Sequence, residues 1–352
     1  MKMAIPFNLN SLLRENIKNL VPYSSARDEF KGEASILIDA NENAYGSPLA
    51  THYNRYPDPL QHQVKAKLST IKGVPAANIF LGNGSDEPID LLFRATCRPG
   101  RDNVIVVPPT YGMYEVSANI NDVELKKVNL TEEFELDLAG IEAAIDENTK
   151  MIFLCSPNNP TGNSLDRQDI ETVLANFAGI VVVDEAYINY SKVRSFTQEL
   201  PEYPNLVVLQ TLSKAWGLAA LRLGMAFASV EIISLLNKIK SPYNIGQATQ
   251  DLVLEALNNV EQVNTWIKES IAAREQLAAS LTTLPIVEKV YPSDANFLLV
   301  RVTDPQGIYN YLVSFGIIVR DRSKVPGCAN CLRITVGTEA ENAILVEKLK
   351  EY

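Results

Sequence analysis

The sequence predicts an α/β protein with a large, mostly parallel sheet covered by helices on both faces, followed by a smaller α/β domain. Between about residues 60 and 240, short apolar runs alternate with amphipathic stretches. Fully apolar strands that alternate with helices belong in a parallel sheet buried on both sides. After Pro242 the pattern becomes a long helical stretch without proline until Pro285, and beyond it strand and helix patterns resume on a smaller scale.

Taken in order, the N-terminal "SLLRENIKNL" has a helical pattern but cannot form a domain alone, so it must pack on something. The strand patterns of the large domain are "NIFLGNG", "DNVIVVPP", "KMIFLCSP", "GIVVVDEAY", "NLVVLQTLS" and "RLGMAFAS". Helix patterns such as "SDEPIDLLFRATC" and "LDRQDIETVLANFA" lie between them. The stretch from "IGQATQ" to "LTTL" reads as a helix pair leaving this domain. The strands "NFLLVRV", "GIIVRDR" and "CLRITVG" and the helices "PQGIYNYLVSF" and "EAENAILVEKLKEY" make the smaller one. The expected division is an N-terminal arm over 1–30 that packs with the small domain, a large domain over 31–260 and a small domain over 261–352.

With 352 residues, 46% of them hydrophobic, the chain is long enough for two cores. Its net charge of −10 argues against a broad electrostatic footprint for nucleic acid. The first twenty residues lack the continuous apolar core of a signal peptide, and no apolar run approaches membrane-spanning length, so a soluble, cytoplasmic protein is expected. Cys328 and Cys331 form a C-x-x-C, but no second pair or nearby histidine completes a zinc site, and no metal is expected. The pair reads either as a redox couple or as two small residues leading into a strand. Only His52 and His62 are present, which removes most routes to a serine or cysteine nucleophile. Any chemistry must use lysine, tyrosine, aspartate or a cofactor.

The polar residues at the strand ends are informative, because sites in open α/β sheets form at the carboxyl ends of strands. "IFLGNG" runs into "SDEP", where Ser85 can N-cap a helix whose N–H groups suit a phosphate. The position of a third fingerprint glycine is Glu87, so this is no dinucleotide motif. "MIFLC" ends in "SPNNPTG", "IVVVD" ends in Asp184 with Tyr187 three residues on, and "LVVLQ" ends in "TLSK". Singly, Asp184 could cap a loop, Lys214 could snorkel at the surface and Tyr187 could edge a core. Together they supply what pyridoxal phosphate needs. A desolvated lysine near other cations can condense with the aldehyde. A carboxylate keeps the ring nitrogen protonated, and hydroxyls, N–H groups and an arginine take the phosphate.

The order "SPNNPTG", "DEAY", "SKAWGLAALRLG" resembles the fold-type-I pyridoxal-phosphate aminotransferases, with the usual spacing from Asp184 to Lys214 (214 − 184 = 30). "NLVPYSSAR", "NENAYGSP", "NRYPDP", "PPTYGMY" and "CLRITVG" narrow the resemblance to the histidinol-phosphate branch of that family, across essentially the whole chain. The resemblance implies a seven-stranded large sheet. It implies that Lys214 condenses with the aldehyde and shuttles the proton, that Asp184 pairs with the ring nitrogen, that Tyr187 and Asn159 hold the phenolic oxygen, and that Tyr111 stacks on the ring. Ser85, Asp86, Thr211, Ser213 and Arg222 would take the phosphate, and Tyr56 would reach the phosphate of the neighbouring subunit in a homodimer with composite sites. Arg333 would take the substrate α-carboxylate, with Arg320, Tyr23 and Asn41 completing the pocket.

The implied reaction is amino transfer between L-histidinol phosphate and 2-oxoglutarate, giving imidazole acetol phosphate and glutamate. A threonine-phosphate decarboxylase, an aromatic or broad aminotransferase and a catalytically idle cofactor-binding module are the alternatives. The intact set of Lys214, Asp184 and Tyr187 argues against the last. The sequence departs from the family pattern in the short "LATHY" before "NRYPDP", in Ala44 and in Ala220; neither alanine replaces a residue with an implied chemical role.

Overall fold

The computed structural model describes residues 5–23 and 36–352. Of the expected N-terminal arm, residues 1–4 and 24–30 lie outside the described residues, as do 31–35 of the expected large domain and the "SSAR" of "NLVPYSSAR".

The large sheet has seven strands: β1 (Ile79–Asn83), β2 (Asn103–Val106), β3 (Glu124–Lys127), β4 (Thr149–Cys155), β5 (Ile180–Asp184), β6 (Leu206–Thr211) and β7 (Leu223–Ala228). Their order is β1-β7-β6-β5-β4-β2-β3. Neighbours pair in parallel from β3 to β6, and β7 runs antiparallel to both β6 and β1. Six strands match the apolar runs of the sequence. The seventh, "ELKK", is an edge strand whose side chains are exposed or half-exposed, so it has no apolar run to reveal it.

Alternation along each strand builds two hydrophobic layers. In β4, Ile152 and Leu154 point to one face while Met151, Phe153 and Cys155 point to the other. In β5, Val181 and Val183 oppose Ile180 and Val182 in the same way. All five residues of β5 are buried, and each of its four apolar side chains contributes about 1.5–3 kcal/mol through burial. Helices Asp86–Thr96, Met113–Ile120 and Val230–Ile239 cover one face. Helices His62–Lys72, Arg167–Asn176 and Gln247–Ala256 cover the other.

The N-terminal arm differs from expectation. It forms two single turns, Leu9–Leu12 and Glu15–Lys18, and Leu9 and Ile17 bury in the large domain's helical layer rather than against the small domain. Arg14 N–H donates to Ala95 O, and the Lys238 amine donates to Ile17 O. The apolar residues of so short a segment reach the nearest open hydrophobic surface, which the helices ending at Thr96 and Ile239 provide.

The second sheet has the order β10-β11-β9-β8 and is antiparallel throughout, with β8 (Val287–Val290), β9 (Phe297–Val302), β10 (Arg320–Asp321) and β11 (Cys331–Thr335). One face packs on helices Pro305–Ser314 and Glu339–Glu351. The other turns toward the large domain, where Leu299, Cys328 and Cys331 join its core. Helix Val260–Thr282 serves both units: Val263 packs in the large core, while Leu277 and Leu281 pack in the small one. A boundary between 260 and 261 therefore coincides with the start of a shared helix.

The reversal at β7 brings Gly224 between Gly82 of β1 and Thr211 of β6. A Cβ on Gly224 would lie 2.2 Å from both the Gly84 carbonyl carbon and the Ser85 nitrogen. Both are backbone atoms that cannot rotate away. Gly224→Ala is expected to cost at least about 2 kcal/mol of stability and to push residues 84–85 off their position. Urea denaturation and cofactor titration test this, and a variant with wild-type midpoint and affinity would refute the close approach.

Candidate active site

Strands β1, β4, β5 and β6 run in one direction, so their carboxyl ends share one edge of the sheet, joined by the start of antiparallel β7. After β1, Gly84 takes φ +73 and its backbone N–H donates to Arg222 O at 2.7 Å. Ser85 precedes helix Asp86–Thr96, but its hydroxyl does not cap it. Ser85 already has helical φ and ψ (−71, −12), which takes its side chain away from the position where a cap accepts. After β4, Asn158 ties two loops together, its amide donating to Pro109 O and Thr161 Oγ1, both at 2.7 Å. Next to it, Asn159 Oδ1 accepts from Arg333 Nη1. After β6, the Thr211 hydroxyl donates to Ser213 Oγ at 2.9 Å and accepts from Ser213 N–H at 3.0 Å. Arg222 sits in the left-handed region with φ 53, its Nη1 3.5 Å from Ser213 Oγ and its Nη2 3.8 Å from Asp86 Oδ2.

One cleft gathers ten of the expected residues: Ser85, Asp86, Tyr111, Asn159, Asp184, Tyr187, Thr211, Ser213, Lys214 and Arg222. A larger cavity of about 850 Å³ opens elsewhere, between the 129–135 segment and β8–β9, and contains none of them.

Asp184 is the most deeply placed carboxylate of the cleft. Its Oδ2 accepts from the Tyr114 hydroxyl at 2.8 Å and its Oδ1 from Ala186 N–H at 3.1 Å. Burial pushes its pKa up from the ordinary 3.8 to about 6, against the opposing effect of those hydrogen bonds. Lys214 is exposed as a residue, but its amine lies 5.6 Å from the centre of the Tyr187 ring inside the cleft. Partial burial lowers the pKa of that amine, and the guanidiniums of Arg333 and Arg222 lower it further. Tyr187 is buried edge-on against Phe297, with ring centres 5.1 Å apart, and burial raises its hydroxyl pKa. Tyr111 donates its hydroxyl to Asp86 Oδ1 at 3.1 Å.

Arg333 reaches the cleft from β11. Its guanidinium lies 5.3 Å from the Phe297 ring centre, and its buried Nε has no hydrogen-bond partner. Arg320 is exposed and stands directly opposite Arg333 in the β10–β11 register. The other expected residues are not brought to Lys214 within this chain. Tyr56 stacks on Tyr243 at 4.5 Å and shares a separate cleft with Asn41. Tyr23 is 75% exposed. These three come from loops, where no strand end fixes a side chain.

Sequence reasoning missed Tyr114, the hydroxyl donor to Asp184. The signal was present in "PPTYGMY": Tyr111 and Tyr114 stand three apart at the start of helix Met113–Ile120, and their rings meet edge to face at 5.5 Å. It also missed Phe297, which buttresses both Tyr187 and Arg333.

The donor set fits pyridoxal phosphate. Asp184 is a buried carboxylate with two hydrogen bonds and no ion pair among the described residues, and a protonated ring nitrogen is the counter-charge it lacks. The Thr211 and Ser213 hydroxyls and Arg222 face the loop at Gly84, where a Cβ would meet Arg222 Nη2 at 2.6 Å. That loop opens a helix whose first N–H groups have no partner inside the helix.

The raised pKa of Asp184 has a consequence for the cofactor-free protein. The folded state binds this proton more tightly than the unfolded chain does. The stability it contributes is therefore complete below about pH 4 and is lost as pH rises through about 6. From 3.8 to about 6, the loss amounts to about 3 kcal/mol. Relative to cofactor-free Asp184→Asn, the cofactor-free wild type should lose most of that between pH 4 and pH 7. Urea midpoints across this range test it, and parallel curves for the two proteins would refute the buried-carboxylate account.

Residues 36–349 match the family model described as aminotransferase class I and II. The histidinol-phosphate aminotransferase of Cytophaga hutchinsonii is 57% identical over 346 residues, covering 98% of this chain and 99% of that protein. The enzyme of the same name from Parabacteroides distasonis is 56% identical, covering 97% and 98%. Among solved structures, the histidinol-phosphate aminotransferase of Sinorhizobium meliloti in complex with pyridoxal-5'-phosphate superposes with a TM-score of 0.77 at 24% identity, covering 89% of each chain. The chain belongs to the class I and II aminotransferases, within the group formed by the histidinol-phosphate enzymes.

Proposed function

We propose that this chain is a pyridoxal-phosphate-dependent enzyme that transfers an amino group reversibly between L-histidinol phosphate and 2-oxoglutarate. The observation that carries this reading is one cleft in which Lys214, buried Asp184 and a phosphate-suited corner at Arg222 meet, with the unpartnered Nε of Arg333 close by. Near-full-length identity of 50–57% to enzymes of that name supports the substrate.

Bound pyridoxal phosphate supplies an aldehyde and a protonated ring that draws electrons from the amino-bearing carbon. Asp184 keeps the ring nitrogen protonated, and Tyr114 keeps Asp184 oriented. Tyr187 and Asn159 hold the phenolic oxygen. Because Arg333 occupies Oδ1 of Asn159, the amide nitrogen is the group left to donate. Ser85 and Asp86 offer backbone N–H groups to the phosphate alongside Thr211, Ser213 and Arg222. Tyr111, which lines the cleft, would pack against the ring. Lys214 Nζ, whose pKa burial and the nearby guanidiniums lower, would take the proton from the substrate carbon and return it to the cofactor side. Arg333 grips the substrate anion, a carboxylate in glutamate and a phosphate in histidinol phosphate, since a guanidinium fork suits both. Arg320, Tyr23 and Asn41 complete that end.

The active unit in this reading is a homodimer. Tyr56 is 50% exposed and lies outside its own chain's Lys214 cleft, which is consistent with a hydroxyl that serves the partner's phosphate. The enzyme is read as cytoplasmic; no helix among the described residues is long and apolar enough to cross a membrane.

Incubation with histidinol phosphate and 2-oxoglutarate should yield imidazole acetol phosphate and glutamate. Carbon dioxide release from threonine phosphate, or faster turnover of aromatic amino acids, would favour the other readings. Borohydride reduction of the loaded protein should leave the cofactor mass on the Lys214 peptide. Lys214→Ala should carry none, and an adduct at another lysine would remove Lys214 from its role.

Mixing inactive Tyr56→Phe and Lys214→Ala chains should restore activity in heterodimers that carry one complete site. Full activity from a demonstrably monomeric sample would refute composite sites.

A further inference from the structure

On the side of the small sheet that faces the large domain, arginines outnumber acids. Side chains two apart along a strand share a face. Arg320 pairs with Arg333 in the register, and Arg322 N–H donates to Cys331 O at 2.8 Å, which extends the same antiparallel ladder by one residue. Arg320, Arg322, Cys331 and Arg333 therefore lie on one face, while Asp321 and Leu332 lie on the other. Cys331 is buried in the core shared with the large domain, so this face points into the junction and toward the cleft that Arg333 enters.

Arg322 is half-buried there. Its guanidinium makes no hydrogen bond or ion pair with a described residue. It is close enough to Arg320 and Arg333 for the three charges to disfavour one another. Asp321, whose side chain lies on the opposite face of the strand, is the carboxylate that offsets part of the charge on Arg322, and no acid stands on the arginines' own face of β10 and β11, so this face favours an incoming anion. A single carboxylate brings one negative charge. A phosphate monoester brings about 1.5 to 2 at neutral pH, with three acceptor oxygens.

We propose that Arg322 is a third arginine of the substrate anion site, one that selects for a phosphate monoester over a carboxylate. It deepens the histidinol-phosphate reading above and rests on it for the identity of the substrate. Arg333 and Arg320 can serve either anion, whereas Arg322 adds the charge and donors that only the larger, more highly charged group uses.

The test compares Arg322→Gln and Arg322→Lys with wild type in single-turnover half-reactions of the holoenzyme. Inorganic phosphate serves as a competitor against glutamate. For Arg322→Gln, kcat/KM for histidinol phosphate should fall about 10- to 100-fold, the range for a charge-assisted hydrogen bond. The glutamate half-reaction should fall far less, and inhibition by inorganic phosphate should weaken in parallel. Arg322→Lys should recover part of the loss. Equal losses in both half-reactions would mark Arg322 as structural and overturn the proposal. So would unchanged kinetics and unchanged phosphate inhibition. If wild type did not turn over histidinol phosphate while phosphate inhibition still depended on Arg322, the functional reading would fail and the anion site would stand.

Discussion

A carboxylate sealed at the end of a central strand demands a positive charge, and much of the site is arranged around that demand. Asp184 ends β5, which lies between β4 and β6 in the interior of the sheet and is buried on both faces. Burying a charge costs several kcal/mol unless it is paired and hydrogen-bonded. Two hydrogen bonds, from Tyr114 and the Ala186 N–H, orient the group, yet its pKa still rises. The group stays in place because its surroundings are rigid. Tyr114 is itself fully buried and stacks on Phe153 of β4 at 4.7 Å, so the hydroxyl cannot swing away. A ligand cation placed against Asp184 meets a preformed acceptor rather than having to assemble one.

The sheet's direction then sets everything else at fixed distances from that carboxylate. The ends of β4 and β6 flank it with Asn159 and the Thr211–Lys214 turn, and the reversal into β7 carries Arg222 back to the end of β1. The same geometry accounts for the Thr211 and Ser213 hydroxyls, Lys214 and Arg222 in the largely apolar run 209–224. The chain makes one tight excursion beyond the sheet, in which Gly217 at φ +66 and Arg222 at φ 53 turn it back, and every polar side chain of that excursion faces the same cleft. Gly84 and Gly224 let the two backbones cross without side chains between them.

What was legible in the sequence follows from the same physics. Strands buried on both faces declare themselves as apolar runs, so six of the seven large-sheet strands could be read directly. The edge strands "ELKK" and "VEKV" bury little and left no such mark. Ser85, Asp184, Tyr187 and the Thr211–Lys214 turn could be read from strand ends because a strand fixes where its last side chain goes, the family resemblance added Asp86, Tyr111, Asn159 and Arg222, and all ten meet in one cleft. Tyr23, Asn41 and Tyr56 come from loops, and a motif match gives no position for a loop within a single chain. The packing of the N-terminal arm was misjudged because a few apolar residues carry no label for the surface they will cover. Tyr114 was passed over because a tyrosine on a helix reads first as core, which it also is.

The small domain's contribution shows how the two sheets are coupled at the chemistry. Arg333 donates through Nη1 to Asn159, a large-domain residue, while its Nε stays buried and unpartnered. One arm of the fork thus fixes the Asn159 amide at the edge of the cleft, and the Nε side makes no hydrogen bond. The two sides do not compete, because a guanidinium presents five donors in fixed directions. Phe297 under the guanidinium and against Tyr187 holds both groups to the same wall. Further links run from Asp294, whose backbone N–H donates to Gly162 O and whose carboxylate accepts from Ser164, and from Arg274, whose Nη1 donates to Ala295 O and to Tyr190 O of the large domain. Any shift of the small sheet relative to the large one would therefore move the Arg333 guanidinium and the Asn159 amide together. The position of the Asn159 amide in the cleft is in this way tied to the small sheet through Arg333.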